Sequence, residues 1–172
     1  SADSRQVYKH MDIGIGKDYA DYDVKGTTIP VHLVDIHEPG YKYNVFEFQN
    51  DFLKAFSLIR DKGKSPILCG GTGMYIEAVT KAYKLTSVPV NKKLRQSLEN
   101  KTLNELEQIL TTYKELHNKT DTDTIKRAIR AIEIEEYYKN NPDPVTNYPV
   151  LKPVYLGIDI PREIRRQRIT DR

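Results

Sequence analysis

The sequence predicts an α/β domain on a parallel sheet, interrupted by a helical insertion. Three short apolar runs have the length of buried strands. An amphipathic helical pattern separates the first two at the spacing of a βαβ unit. From Thr86 to about Tyr148 the pattern becomes polar and helical, with no run that reads as a strand.

The first predicted strand, Val31-His-Leu-Val-Asp-Ile36, is entered through Pro30 and ends before the turn Glu38-Pro39-Gly40. Phe48, Phe52, Ala55, Phe56 and Ile59 then recur at helical spacing, with Asn44 placed as N-cap and Gly63 as stop. Those aromatics belong in a core. Pro66-Ile-Leu-Cys69 is the second predicted strand, bounded by Lys62-Gly63-Lys64 and by Gly70-Gly71, and the helical segment Met74 to Val79 follows. Strand, helix and strand in this order call for a right-handed crossover. In the insertion, Thr102-Leu-Asn-Glu105 is a capping box ahead of Leu103, Leu106, Ile109, Leu110 and Tyr113. A second helix runs from about Thr122 to Lys139, with Ile125, Ala128, Ile129 and Ile132 expected on one face. The breaker cluster Asn140-Asn141-Pro142-Asp143-Pro144 ends it. The third predicted strand, Val154-Tyr-Leu-Gly-Ile-Asp159, runs into Pro161. Continuous apolar runs of this kind suit a parallel sheet covered on both faces.

A chain of 172 residues with 38% hydrophobic content accommodates one domain and a small insert. The expected organisation is 1–85 as the first part of an α/β core, 86–148 as the insertion, and 149–172 as the core's continuation. No apolar run approaches the ~20 residues of a membrane helix. The lone Cys69 excludes a disulfide framework and fits a reducing compartment. Net charge is only +3, an excess supplied by Pro161 to Arg172 with five Arg against Glu163 and Asp171. A polyanion contact and a solvated helix face both fit that patch. The chain starts at Ser1 without Met or a leader pattern and stops at Arg172 inside a helical pattern. A fragment of a longer protein is therefore expected.

Three places carry candidate chemistry. Gly70-Gly71-Thr72-Gly73 lies between a predicted strand and a helix, where backbone N–H groups and a helix N-terminus meet an anion. The same glycines also serve a plain tight turn. Asp3-Ser4-Arg5-Gln6 offers a carboxylate for general-base work and two side chains for a base edge or phosphate, or simply a helix N-cap. Lys126, Arg127 and Arg130 share one helix, where they either converge on a phosphate or form a solvated face opposite the isoleucines. His10, His32, His37 and His117 lack metal-ligand spacing, so no metal site is expected from them.

In order along the chain, these motifs resemble one family. Ser1-Ala-Asp-Ser-Arg-Gln-Val-Tyr-Lys-His-Met-Asp-Ile-Gly14, Val31 to Ile36, Pro66-Ile-Leu-Cys-Gly-Gly-Thr-Gly-Met-Tyr75 and Arg127-Ala-Ile-Arg-Ala-Ile-Glu-Ile134 are similar to the tRNA dimethylallyltransferases, or tRNA isopentenyltransferases. Arg168-Ile169, completed by Arg172, matches that family's Arg-Ile-x-x-Arg pattern.

The resemblance implies a P-loop NTPase-like three-layer core with a parallel sheet and a tRNA-contacting helical insertion. It implies transfer of a dimethylallyl group from dimethylallyl diphosphate to the exocyclic amine of the adenosine 3′ of the anticodon. Asp3 matches the family's general base. Asp3, Ser4, Arg5, Gln6, Thr72, Arg95 (after one inserted residue) and the stretch Lys126, Arg127, Ala128, Ile129 and Arg130 match its tRNA contacts. Gly70, Gly71, Thr72, Gly73 and Arg130 are the expected phosphate-binding residues. The implied partners are tRNA and dimethylallyl diphosphate. The implied cofactor is Mg2+, with main ligands in a P-loop expected ahead of Ser1, and the family's helical C-terminal part is also absent. A cytoplasmic monomer is expected, with no membrane contact. The chain departs from the family at Ile15-Gly16-Lys17 (usually Thr-Ala-Lys), Val31-His32 (usually His-His), Asp123-Thr124 (usually Asn-Asp) and His10 (usually Gly). Without its P-loop the fragment alone is expected to be inactive, even where the parent protein is an enzyme. Two other readings remain open here: a P-loop-related small-molecule kinase, which would bind nucleotide without tRNA, and a non-catalytic RNA-binding module.

Overall fold

The computed structural model describes residues 1–116, 120–141 and 148–171. Backbone contacts divide the chain into two compact units, Ser1–Leu85 with Tyr148–Arg172, and Thr86–Asn147.

The first unit centres on α1 (Val45–Asp61) and α2 (Gly73–Thr80). The α1 N-terminus is fixed by a reciprocal cap. Asn44 Oδ1 accepts from the N–H groups of Phe46 and Glu47, and Glu47 Oε2 accepts from Asn44 N–H at 3.2 Å. Its apolar face buries Phe48, Phe52 and Ala55, as the periodicity requires, while Phe56 and Ile59 are half-buried. Phe48 stacks on Tyr75 of α2 with ring centroids 4.1 Å apart. Ala2, Leu33 and Val79 complete this core, with Ile36, Leu68, Tyr148 and Leu151 packed at its edge. One buried residue of α1 is polar. Gln49 Nε2 donates to the carbonyls of Ala78 and Tyr83, both at 2.8 Å, satisfying the end of α2.

The parallel sheet is not present among the described residues. Their strands are β1 (Asp23–Val24) and β2 (Thr27–Thr28), an antiparallel hairpin in a region the sequence pattern left unassigned. Lys25 and Gly26 turn it with φ of 53° and 77°, the left-handed pair a two-residue hairpin turn needs. None of the three predicted strands forms. In 31–36, Leu33 and Asp35 take left-handed φ of 62° and 55°, which a pleated strand does not tolerate. Ile67 is 88% exposed, and Val154, Leu156 and Ile158 are 87%, 91% and 88% exposed. A strand exists only where a neighbour takes up successive N–H and C=O groups, and among the described residues these runs meet isolated partners but no continuous ladder. Partial pairing survives around the first residues. Ser1 N donates to His32 O, Ala2 N to Cys69 O, and Tyr8 and His37 form a single parallel bridge. The last helix, α6 (Arg162–Thr170), buries no residue. Arg172 lies outside the described residues.

The second unit packs α3 (Lys92–Leu98), α4 (Leu103–Thr111) and α5 (Ile125–Asn140), with no strand among its described residues. The capping box at Thr102 and Glu105 forms as expected. Leu98, Leu106, Leu110, Ala128, Ala131 and Ile132 make the core. Of the face predicted for α5, Ala128 and Ile132 are buried and Ile129 packs against them, and Ile125 alone departs. Ile125, in the first turn, is 46% exposed, whereas Ala131 and Glu133 are buried. His117 and the breaker residues Pro142, Asp143 and Pro144 lie outside the described residues.

Candidate functional site

In the first unit, the site is a joint between the opening turn and the start of α2. Asp3 Oδ1 accepts from the N–H groups of Arg5 at 2.8 Å and Gln6 at 3.3 Å, so the carboxylate caps its own turn. Its second oxygen receives no donor among the described residues. Across 68 residues of sequence, Ser4 N–H donates to Thr72 Oγ1 at 3.0 Å, and Thr72 N–H donates to Ala2 O at 3.1 Å. Asp3, Ser4 and Thr72 are thus brought together. Gly70 makes this approach possible: a Cβ there would lie 2.4 Å from the carbonyl carbon and oxygen of Ala2. The structure therefore gives Gly70 a packing role, while Gly71 and Gly73 have open space where a side chain would be.

Gln6 is committed to bracing. Its Nε2 donates to Gly16 O at 2.9 Å and its Oε1 accepts from Ser1 Oγ at 2.7 Å. Arg5 stays exposed. The loop that Gln6 holds ends at Lys17, a residue the sequence reading passed over. The Lys17 side chain is buried and donates to Tyr8 O at 2.6 Å, to Asp12 at 3.1 Å and to Asp35. Burial works against its charge, but Asp35 and Asp12 outweigh burial and hold the ammonium above the ordinary lysine value. Lys17 and Tyr19 in turn hold the Asp35 carboxyl below its ordinary value. His10, Asp12, Lys17, Tyr19 and Asp35 line a shallow pocket. The available signal is Ile15-Gly16-Lys17, where the lysine is the one residue that keeps the family's usual Thr-Ala-Lys pattern.

In the second unit, Arg95 of α3 and Arg130 of α5 meet on one buried carboxylate. Arg95 donates to both oxygens of Glu133, Nε to Oε1 at 3.0 Å and Nη2 to Oε2 at 2.7 Å. Arg130 Nη1 donates to Oε2, and its Nη2 donates to Val88 O at 3.0 Å. Asn91 N–H adds a fourth bond to Glu133 at 2.6 Å. Burial alone would raise the Glu133 carboxyl. The two guanidinium groups and the Asn91 N–H overcome it and hold it at about 2. The other residues of the stretch are placed differently. Lys126 is exposed, and Arg127 pairs with Asp123 at 2.7 Å on the surface. Ala128 is wholly buried in the core and Ile129, half-buried, packs against it. They hold the helix that carries the arginines.

No three His, Cys, Asp or Glu side chains gather to hold a metal ion among the described residues. Among the described residues no helix is long and apolar enough to cross a membrane.

The IPP transferase family model matches residues 6–172. A tRNA dimethylallyltransferase 1 of Parabacteroides distasonis is 63% identical over 172 residues, covering all of this chain and 56% of that protein. A tRNA dimethylallyltransferase 2 of Phocaeicola vulgatus is 59% identical with the same coverage. The full-length tRNA isopentenylpyrophosphate transferase of Bacillus halodurans, a solved structure, is 30% identical with a TM-score of 0.46. It covers 83% of this chain and 47% of its own. The chain spans about half the length of the curated relatives it matches. With the family's pattern running from Gln6 through the Thr72 joint and the Arg95–Glu133–Arg130 cluster to the last residue, this chain belongs to the IPP transferase family.

Proposed function

We propose that the whole protein transfers a dimethylallyl group from dimethylallyl diphosphate to the exocyclic amine of the adenosine 3′ of the anticodon in tRNA. This segment supplies the general base and much of the tRNA grip. One observation carries the reading: Asp3 is pinned through one carboxylate oxygen, leaves the other without a donor, and sits at the joint with Thr72. In the reaction the amine nitrogen attacks the first carbon of the dimethylallyl group. The carbon–nitrogen bond forms, the carbon–oxygen bond to diphosphate breaks, and diphosphate leaves with the electron pair. Asp3 takes the amine proton. An amine inside the anticodon-loop stack is out of reach of any side chain, so the adenosine must first be extruded. Thr72, Ser4 and Arg5 hold that strand at the opening turn that Gln6 braces, and Arg95, Lys126, Arg127 and Arg130 contact tRNA phosphates.

The finer architecture is part of the same proposal. Residues 1–85 and 149–172 form one α/β core, P-loop-like and three-layered, with 86–148 inserted. The apolar runs 66–69 and 154–159 pair in a parallel sheet with strands this segment does not contain, where the P-loop and magnesium also reside.

The test is product analysis. The full-length protein, given an unmodified tRNA and dimethylallyl diphosphate, should yield one adenosine per tRNA carrying a dimethylallyl group on its exocyclic amine, read by nuclease digestion and mass spectrometry. tRNA binding without that product would mean an RNA-binding module instead, and nucleotide-dependent phosphorylation without tRNA would mean a kinase.

A further inference from the structure

Glu133 is 2% exposed and its side chain 1%, yet it accepts four hydrogen bonds from three different places: α3, α5 and the Asn91 backbone. Its two guanidinium partners are not buried with it. The Arg95 and Arg130 side chains remain 40% and 39% exposed. A guanidinium carries five N–H donors. Each of these arginines uses two inside the protein, so three on each remain for an outside acceptor. The pair is held from behind and open in front. An arginine on a free three-carbon stem loses rotamer freedom when it grips a phosphate, and one already fixed does not.

We propose that Glu133 is a positioning residue for polyanion binding: it locks Arg95 and Arg130 into one fixed two-pronged clamp for the phosphate backbone. The inference rests on the tRNA reading above and adds to it. It assigns a role to a buried acidic residue that never touches the ligand.

Charge alone makes the opposite forecast, which gives the test its edge. Two arginines and one carboxylate sum to +1, and Glu133→Gln raises this to +2 while keeping size and replacing one of the two acceptor oxygens with an NH2 that cannot accept from a guanidinium. Were the arginines acting as point charges, the extra charge would tighten tRNA binding and steepen its salt dependence. A lost clamp does the reverse. In the full-length protein, E133Q should weaken tRNA binding roughly fivefold or more, raise the tRNA KM in parallel, and leave kcat within about twofold. Arg95→Lys keeps the charge, is exposed enough to fold, and loses the fork that spans both oxygens of Glu133, so it should weaken binding to a similar degree.

Both variants are compared with the parent by tRNA binding across a salt series, at a temperature where circular dichroism shows intact helix. E133Q binding tRNA as well as or better than the parent overturns the inference, and so does Arg95→Lys at parental affinity when E133Q does not fold. A fall in kcat with unchanged KM also overturns it. If the parent forms no dimethylallyl-adenosine at all, the functional reading itself fails, which is a separate outcome.

Discussion

At the scale of single residues, two side chains decide more than their type suggests. Gly70 is where the α2 loop meets the opening turn, with space for no other residue. Gly70→Ala pushes a methyl into the Ala2 carbonyl and should destabilise the protein by about 1–3 kcal/mol, read from urea denaturation, while parting Thr72 from Ser4. Gly71→Ala, with open space around it, should cost far less. Glu133 has a pH signature. Its folded-state carboxyl sits at about 2, below the ordinary 4.5, so it adds stability above pH 4.5. That contribution is lost as pH falls from about 4.5 towards 2. Asp35 works in the same direction, held down first by Lys17 and then by Tyr19. Comparing acid unfolding of the parent and E133Q isolates the Glu133 share, and identical pH profiles below 4.5 would contradict it. The sequence suggested Arg95 and Arg130 but not Glu133 or Lys17. A charged residue defaults to the surface, and what keeps these two inside is partners from other segments.

At the scale of elements, helices were readable and their inward faces less so. Asn44–Glu47 and Thr102–Glu105 are reciprocal caps written within four residues, so the starts of α1 and α4 follow from local chemistry alone. The face of α5 does not. The helical spacing placed Ile125, Ala128, Ile129 and Ile132 inside; the last three pack, joined by Ala131, and Ile125 does not. Alanines are what a helix offers when α3 and α4 come close. Ile132→Ala should cost about 2–5 kcal/mol of stability in denaturant unfolding, and Ile125→Ala no more than about 0.5 kcal/mol. Equal losses would mean the helix is turned as the isoleucine pattern implied.

At the scale of the whole molecule, the apolar runs were legible and the sheet was not. A helix satisfies its own backbone, whereas a strand is defined by its neighbours. Val154, Leu156 and Ile158 are apolar enough to be buried strand residues, yet stand exposed without partners. In the full-length protein, amides of 154–158 should be slow to exchange with solvent, and in this segment alone fast. Fast exchange in both would remove the proposed parallel sheet. The joint of Ser4 with Thr72, beside Asp3, was visible only as two separate motifs, because the contact spans 68 residues. The role given to that joint is tested most directly by single-turnover prenyl transfer with Asp3→Asn in the full-length protein, measured alongside tRNA affinity. The asparagine keeps an oxygen to cap the turn but cannot take the amine proton. Transfer should fall by about two powers of ten or more with tRNA affinity unchanged. Near-parental transfer would show that the proton leaves by another route and that Asp3 serves only as a cap.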